Sequence, residues 1–231
     1  MLKIEEVNSR IQSAYSRGVK SDDSRLSPRH IYSITSSIRA TLITNQIKKR
    51  QIVSDWNYIV ANCIKMIPVN SITCKAFSKL GCTIYRSEKK IPRVLTDLDK
   101  HLIEWVMKVD NSYVIGEVKR QEFLYNKGNK YTKGKLKYTI ENGYLFINCS
   151  TAPGYISMKF IPSDPIEAQS YINKCSEEDV CIPYCEMDFL LDREYLDALI
   201  KMSITEVFDL FYKMREDKTN DTSDSLKQES K

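Results

Sequence analysis

The spacing of the apolar residues changes twice along the chain, and this order limits the possible fold classes more than any other feature. Residues 1–55 carry apolar positions at helical spacing, residues 56–160 carry short strand-like runs divided by turn signals, and helical spacing returns in residues 161–215. Helices and strands that are segregated along the sequence favour an α+β fold over an alternating α/β fold. We therefore predict that the N- and C-terminal helices form a bundle and that a central antiparallel β-domain, an open sheet or a small barrel, is inserted between them.

Two helices begin with recognisable start signals. Ser27 precedes Pro28, which is the common pairing of an N-cap residue with a proline at the first helical position. One long helix is predicted over residues 25–59, with the basic residues Lys48, Lys49 and Arg50 near its end. Asp164 and Pro165 give the same signal for a helix that follows the β-rich region. These signals indicate where the helical parts of the chain begin.

The C-terminal end is predicted to hold a last helix and a disordered tail. Ser203 and Glu206 have the spacing of a capping box, which predicts that a helix starts at this point. Residues 216–231 offer almost no apolar side chains that a core could bury, so we expect them to be disordered.

The strongest local prediction in the β-rich region is a hairpin over residues 135–149. Asn142 and Gly143 are the favoured pair for a two-residue type I′ turn between two strands. The flanking segments alternate and are rich in aromatic residues, among them Tyr138 and Phe146. We expect one face of this hairpin to be largely aromatic.

The residue types that carry chemistry are not arranged in any catalytic pattern. The 7 glycines are dispersed, whereas a phosphate-binding loop needs several close together. The two histidines, His30 and His101, have no nucleophile or ligand motif around them. We therefore predict no catalytic residue, no cofactor and no metal site, and we do not expect the chain to be an enzyme.

The seven cysteines are expected to be small buried thiols of a protein made in a reducing compartment. Cys175, Cys181 and Cys185 lie closest together, but they lack the two close ligand pairs of a structural zinc site. The N-terminus has acidic residues where a signal peptide is apolar, and no run approaches the ~20 apolar residues of a membrane span. Synthesis in the cytoplasm, without membrane contact, is the expectation.

Several stretches of the first half resemble a known family. RLSPRHIYSITSSIRATLI (25–43), KKRQIVSDWNYI (48–59), GCTIYRSEKKIPRVL (81–95) and HLIEWVMKVDNSYVI (101–115) resemble a structural protein of crAss-like bacteriophages. The best match within that group is the head-to-tail adaptor, or first ring protein, beneath the portal. The hairpin and the C-terminal helices match more loosely.

The resemblance implies a function in assembly and not in catalysis. A non-enzymatic virion protein of this kind forms a homo-oligomeric ring, usually a dodecamer, which docks on the portal and links it to the tail. The implied partners are other copies of the chain, the portal and other tail or ring proteins, with DNA in the channel as a further candidate. The implied location is the portal–tail region of a virion assembled in the host cytoplasm.

Two groups of residues are the candidates for partner contacts. The first is a basic ridge on the second helix, made of Arg39, Lys48, Lys49 and Arg50, which we expect to face an acidic portal surface or the DNA channel. For the last three of these, compensation of the helix dipole is the simpler explanation. The second group is Phe208 and Phe211 on the last helix, which suits a segment that becomes ordered on a partner.

A nucleic-acid-binding protein is the alternative interpretation. KGNKYTKGKLKY (127–138) combines five lysines with two tyrosines, which together could contact phosphates and stack on bases. Such charge gives affinity without sequence readout, and solvated lysine-rich loops have the same composition.

Overall fold

A computed structural model describes most of the chain and shows a mixed α+β protein with two compact units. The described residues are 2–16, 26–69, 84–98, 100–109, 113–125, 136–148, 153–173 and 182–219. One unit is the sheet unit, Ser54–Leu190, and the other is the helical unit, which combines Leu2–Val53 with the chain from Leu191 onward. The prediction of an α+β fold is confirmed.

The described residues contain five α-helices. They are α1 (Ile4–Tyr15), α2 (Pro28–Lys48), α3 (Arg120–Tyr125), α4 (Pro165–Asn173) and α5 (Leu196–Thr219). The start of α2 is as predicted, because the Ser27 hydroxyl accepts a hydrogen bond from the His30 backbone N–H at 3.2 Å and Pro28 is the first helical residue. Its predicted extension to residue 59 is wrong, since α2 ends at Lys48 and a strand begins at Ile59. The start of α4 is also as predicted, since the Asp164 carboxylate accepts from the Ile166 N–H at 2.9 Å.

The helical unit consists of α1, α2 and α5, which contact one another pairwise. Its core comes from the apolar stripes of the helices, because residues three and four apart lie on one helical face. Fully or almost fully buried members are Ile4, Val7, Ile11, Ile31, Ile38, Ile43, Leu199 and Val207.

The predicted helix start at Ser203 is wrong. α5 runs without interruption through this position, and the buried Ser203 hydroxyl donates a hydrogen bond to the Leu199 carbonyl at 2.7 Å. The Ser203 side chain is thus bonded to the preceding turn and does not cap a new one. Residues 216–219 of the predicted disordered tail belong to α5, which extends to Thr219, so the prediction is wrong for these four. Residues 220–231 lie outside the described part of the chain.

The sheet unit is built on a seven-stranded, mostly antiparallel sheet in the order β5-β9-β1-β2-β8-β7-β6, and β3 and β4 form a separate hairpin. The strands are β1 (Ile59–Pro68), β2 (Ile84–Ser87), β3 (Thr96–Asp97), β4 (Lys100–His101), β5 (Ile103–Lys108), β6 (Gly116–Glu117), β7 (Lys137–Glu141), β8 (Tyr144–Asn148) and β9 (Tyr155–Phe160).

A short segment, residues 113–118, joins the two edges of this sheet. At its start, Val114 pairs with Met107 of β5, and the Ile115 N–H donates to the Val106 carbonyl at 2.8 Å. At its end, β6 pairs with β7, and the Val118 N–H donates to the Tyr138 carbonyl at 2.9 Å. The sheet therefore closes on itself, which leaves fewer unpaired edge groups than an open sheet would.

The interior of the closed sheet is a single apolar cluster contributed by alternating strand positions. Its members include Ala61, Ile64, Tyr85, Val106, Ile115, Tyr138, Leu145, Ile147, Ile156, Met158 and Phe160. On the opposite side of β2 and β8, α3 contributes Phe123 to a smaller cluster with Ile84 and Phe146. α4 packs against β1 and places Ala168 in the larger cluster.

The observed units divide the chain differently from the predicted segments. The predicted divisions were 1–55, 56–160, 161–215 and 216–231, whereas the sheet unit extends from Ser54 to Leu190 and includes α4. α4 packs on the sheet because Ala168, at 0% exposure, faces the strands.

The predicted hairpin is confirmed, but its aromatic face is not. Asn142 and Gly143 adopt φ values of 52° and 79°, as a type I′ turn requires. In this register Tyr138 pairs with Ile147 and points into the sheet core, while Phe146 pairs with Thr139 and points to the α3 side. The two aromatic residues lie on opposite faces because the two-residue turn fixes which positions face each other.

Candidate interaction surface

The structure separates Arg39 from the other three residues of the predicted basic ridge. Arg39 is 0% exposed, so it does not lie at the surface of the chain and the expectation that it contacts a partner is wrong. It is four residues from Thr35 and eight from Ile31, which are both buried, and helical spacing places all three on the same face. Its charge suggested a surface position, but its spacing matches the core.

Lys48, Lys49 and Arg50 are exposed together where α2 ends. Arg50 has a left-handed φ of 56°, and the Gln51 N–H donates back to the Gln46 carbonyl at 3.0 Å, which is the bonding of a helix-terminating Schellman motif. The three cations thus lie at the negative end of the helix dipole and remain available to solvent.

Phe208 is half-buried within the helical unit, and its ring centroid lies 5.7 Å from that of Tyr15 in a tilted arrangement. Part of its area is therefore already used in packing α1 against α5. Phe211 belongs to α5, but its side chain lies outside the described residues.

A second surface, which was not among the predicted sites, lies on the outward side of β1, β9 and β5. We define the outer sheet face as Tyr58, Val60, Trp105, Met107 and Val114. Their positions follow from the pairing of the strands, because Val60 and Trp105 both pair with Lys159 and Met107 pairs with both Ser157 and Val114. Neighbouring positions on each strand point to the core instead.

Exposed apolar area is concentrated on this side of the sheet. Of the 11 large hydrophobic side chains that are exposed in the described residues, five lie on or beside the outer sheet face: Val60, Val109, Tyr113, Val114 and Tyr155. Clustered apolar exposure is typical of a docking surface, whereas single exposed apolar residues are ordinary.

Lys159 forms the polar centre of the outer sheet face. Its Nζ lies 2.8 Å from the Asp55 carboxylate and 2.6 Å from that of Glu104, and its ammonium lies 4.9 Å from the centroid of the Tyr58 ring. A register shift between Ile103 and Trp105 adds Glu104 as an extra residue in β5, and such a bulge redirects a side chain.

These contacts change how the central groups titrate. The hydrogen bonds from Asp55 and Glu104 raise the pKa of Lys159, so it stays charged through the neutral range. Burial, followed by the charge of Glu104, raises the pKa of the Tyr58 phenol. The cluster is thus a fixed arrangement of two carboxylates around one ammonium.

The sequence held a signal for this surface. In HLIEWVMKV, large apolar residues occupy both alternating sets of positions, so a strand formed there cannot present a wholly polar face. The ion pairs of Lys159 could not be found in this way, because Asp55, Glu104 and Lys159 are far apart in sequence.

Within the described residues, no group of three or more His, Cys, Asp or Glu side chains is placed to hold a metal ion. Cys185 is a free thiol, whereas Cys63 is disulfide-bonded, so the expectation of buried thiols is wrong at Cys63. Cysteine spacing does not reveal which residues the fold brings within bonding distance.

The stretch proposed for nucleic-acid contacts is only partly described. Residues 127–135 lie outside the described part, and Tyr138, one of its two tyrosines, is buried at 3% exposure. Tyr138 is therefore not available to stack on a base.

Among the helices that the structure describes, none combines the length and apolar character needed to span a bilayer.

Comparison with known proteins identifies the family. No curated protein matches the chain. The model of a family described as "Phage tail ring protein 2" matches residues 6–227, and this confirms the resemblance to a ring or tail structural protein of crAss-like phages. The family is ring protein 2, whereas the first ring protein was the expected match. Because the match covers both compact units, the chain belongs to the phage tail ring protein 2 family and is a structural protein of the virion.

Proposed function

We propose that this chain is a non-enzymatic connector that forms a homo-oligomeric, dodecameric ring, docks on the portal and links it to other tail proteins. The observation that supports this most is the match to a tail ring family over residues 6–227. The ring is assembled in the host cytoplasm and occupies the portal–tail region of the virion.

The surfaces of the two units suit such a role. The outer sheet face offers apolar area that a partner protein can bury. It also has a fixed ion-pair cluster that can orient the partner. In the helical unit, α1, α2 and α5 act as a bundle that faces the portal or neighbouring subunits. The cations at the end of α2, Lys48, Lys49 and Arg50, contact an acidic portal surface or line the DNA channel.

Electron microscopy of the purified chain, alone and with the portal and other tail proteins, tests the proposal. The expected result is closed rings of uniform diameter, seated on the portal when it is present. A chain that remains monomeric and joins neither the portal nor other tail proteins would contradict it.

Charge reversal tests the role of the basic cluster separately. Changing Lys48, Lys49 and Arg50 to Glu should weaken portal binding at least tenfold, because rim charges set the electrostatic attraction between partners. A matched control reverses Lys89, Lys119 and Lys201, three exposed lysines elsewhere in the chain, and should bind as the wild type does. Equal binding by both triple variants would remove the cluster from the proposed contact.

A further inference from the structure

One covalent bond of the sheet unit is unexpected for a chain that is made in the cytoplasm. Cys63 is disulfide-bonded, and its side chain is half-buried. Cytosolic thiols are kept reduced, whereas disulfides persist outside cells and on virions. Cys185 is a free thiol, so the second half of the bond is one of the five cysteines outside the described residues: Cys74, Cys82, Cys149, Cys175 or Cys181.

Cys63 lies where the regular pairing of β1 is interrupted. β1 pairs with β9 up to Ala61 and again from Ile64, and the register shifts between these two positions. Asn62 and Cys63 form the resulting bulge. The pairing of β1 with β2 begins further along, at Met66. A cross-link at Cys63 therefore acts at a point where the strand lacks regular neighbours.

The sheet unit has a core that holds β1 in place without this bond. Ala61 and Ile64, on either side of the bulge, are both at 0% exposure and belong to the apolar cluster inside the closed sheet. Their burial stabilises the strand whether Cys63 is a thiol or a disulfide. A disulfide adds to such a fold mainly by restricting the unfolded chain. The reduced chain can therefore fold first and be cross-linked later.

We infer that Cys63 is a thiol while the ring assembles and that its disulfide forms after the virion leaves the cell. The bond then stabilises the sheet unit in an environment where no new chain can replace an unfolded one. This inference rests on the proposed assembly in the host cytoplasm and on the virion location that the family implies.

The oxidant is a low-molecular-weight disulfide such as oxidised glutathione. One cysteine thiolate attacks it and forms a mixed disulfide, and the second thiolate attacks the protein sulfur of that intermediate and releases the small thiol. Two protein thiols thus become one disulfide, and the small disulfide takes up the two electrons and two protons as two thiols.

Alkylation with iodoacetamide followed by peptide mapping of the full-length chain tests the switch. In glutathione buffer of cytosolic poise, Cys63 should be alkylated and circular dichroism should show a folded chain. In oxidised glutathione, alkylation of Cys63 should fall about tenfold or more, and its peptide should be linked to one of the five candidate cysteines. A Cys63 that stays alkylatable in oxidised glutathione, or that is already linked at cytosolic poise, would overturn the inference.

Thermal denaturation measures what the bond does. The Tm of the oxidised wild type should lie about 5–10 °C above that of the reduced wild type, a comparison that needs no substitution. Cys63→Ser should abolish this rise, and the matched control Cys185→Ser should keep it because Cys185 is a free thiol. An equal Tm for the oxidised and reduced wild type, or a rise that persists in Cys63→Ser, would contradict the stabilising role.

The same peptide map places the step in time and separates it from ring formation. Cys63 should be alkylated in host cells quenched with acid during assembly, and linked in purified virions. A Cys63 that is free in virions whose rings are seated normally would overturn the switch and leave the proposed function intact. A chain that oxidises at Cys63 as expected but never forms a ring would contradict the proposed function alone.

Discussion

At the scale of single residues, Lys159 has the most definite electrostatic role. Its side chain is 16% exposed, and its two carboxylate partners raise its pKa. Lys159→Met keeps the aliphatic stem but removes the charge, and should lower the free energy of unfolding by about 1 kcal/mol. The effect is small because Asp55 and Glu104 are substantially exposed and therefore screened by solvent.

The pH dependence of that difference follows from the direction of the pKa shift. A lysine whose pKa is raised in the folded state adds stability that is complete below its ordinary value of 10.5 and is lost as the pH rises through the folded value. The difference in Tm between wild type and Lys159→Met should be constant at neutral pH and shrink in strongly alkaline buffer. A difference that grew with pH would contradict this reading of the ion pairs.

Arg39 is expected to behave as a core residue. Arg39→Ala removes one of the largest fully buried side chains and should cost about 3 kcal/mol in chemical denaturation, the usual range for large-to-small core changes. Lys48→Ala, on the exposed end of the same helix, should change stability by less than about 0.5 kcal/mol. Similar values for the two variants would argue against the buried position of Arg39.

Leu98 is expected to reduce the stability of the isolated chain. Leu98→Asn should raise the free energy of unfolding by about 1 kcal/mol, because asparagine tolerates the left-handed conformation better than leucine. Thermal denaturation of the monomeric variant measures this. A clear loss of stability would show that Leu98 stabilises the fold despite its left-handed backbone.

At the scale of elements, the best predictions came from signals that act within a few residues. Two helix caps and one hairpin turn depend only on local backbone geometry, so a few neighbouring residues were enough to predict them. They are the caps at Ser27 and Asp164 and the turn at Asn142 and Gly143. The capping box at Ser203 failed because packing extends α5 through it and tertiary context overrides weak local preference.

The I′ turn gives a prediction for one element. Gly143→Ala should destabilise the sheet unit by about 1–2 kcal/mol, because alanine is disfavoured at a φ of 79°. The nearest atom to a Cβ there would be Lys90 Cδ at 3.7 Å, an ordinary contact, so the cost comes from the backbone.

Gly116→Ala is the matched control for that substitution. A Cβ at Gly116 meets nothing within 4 Å, so its effect on unfolding should stay within about 0.5 kcal/mol. Equal effects at the two glycines would contradict the assigned turn.

The features that the sequence missed depend on contacts between distant parts of the chain. Tyr138 and Phe146 were expected on one face, but the register of the hairpin separates them. The outer sheet face needs β1, β5 and β9 to lie side by side, and the ion pairs of Lys159 need the bulge at Glu104. No spacing rule joins Asp55 to Lys159.

At the scale of the whole molecule, the order of helical and strand-like segments was enough to predict the α+β class. The assignment of α4 to the sheet unit was not predictable, because a short amphipathic helix can pack equally well on a sheet or on other helices. The tail ring function came from resemblance, since the residues themselves carry no reaction chemistry that would identify it.

The central claim is that copies of this chain close into a ring on the portal, and the mass of the complex measures this most directly. Native mass spectrometry of the portal with and without the 26.8 kDa chain should show the addition of one complete dodecameric set, with no partly filled species at saturation. Addition of single copies in a graded series, or no addition at all, would contradict the account.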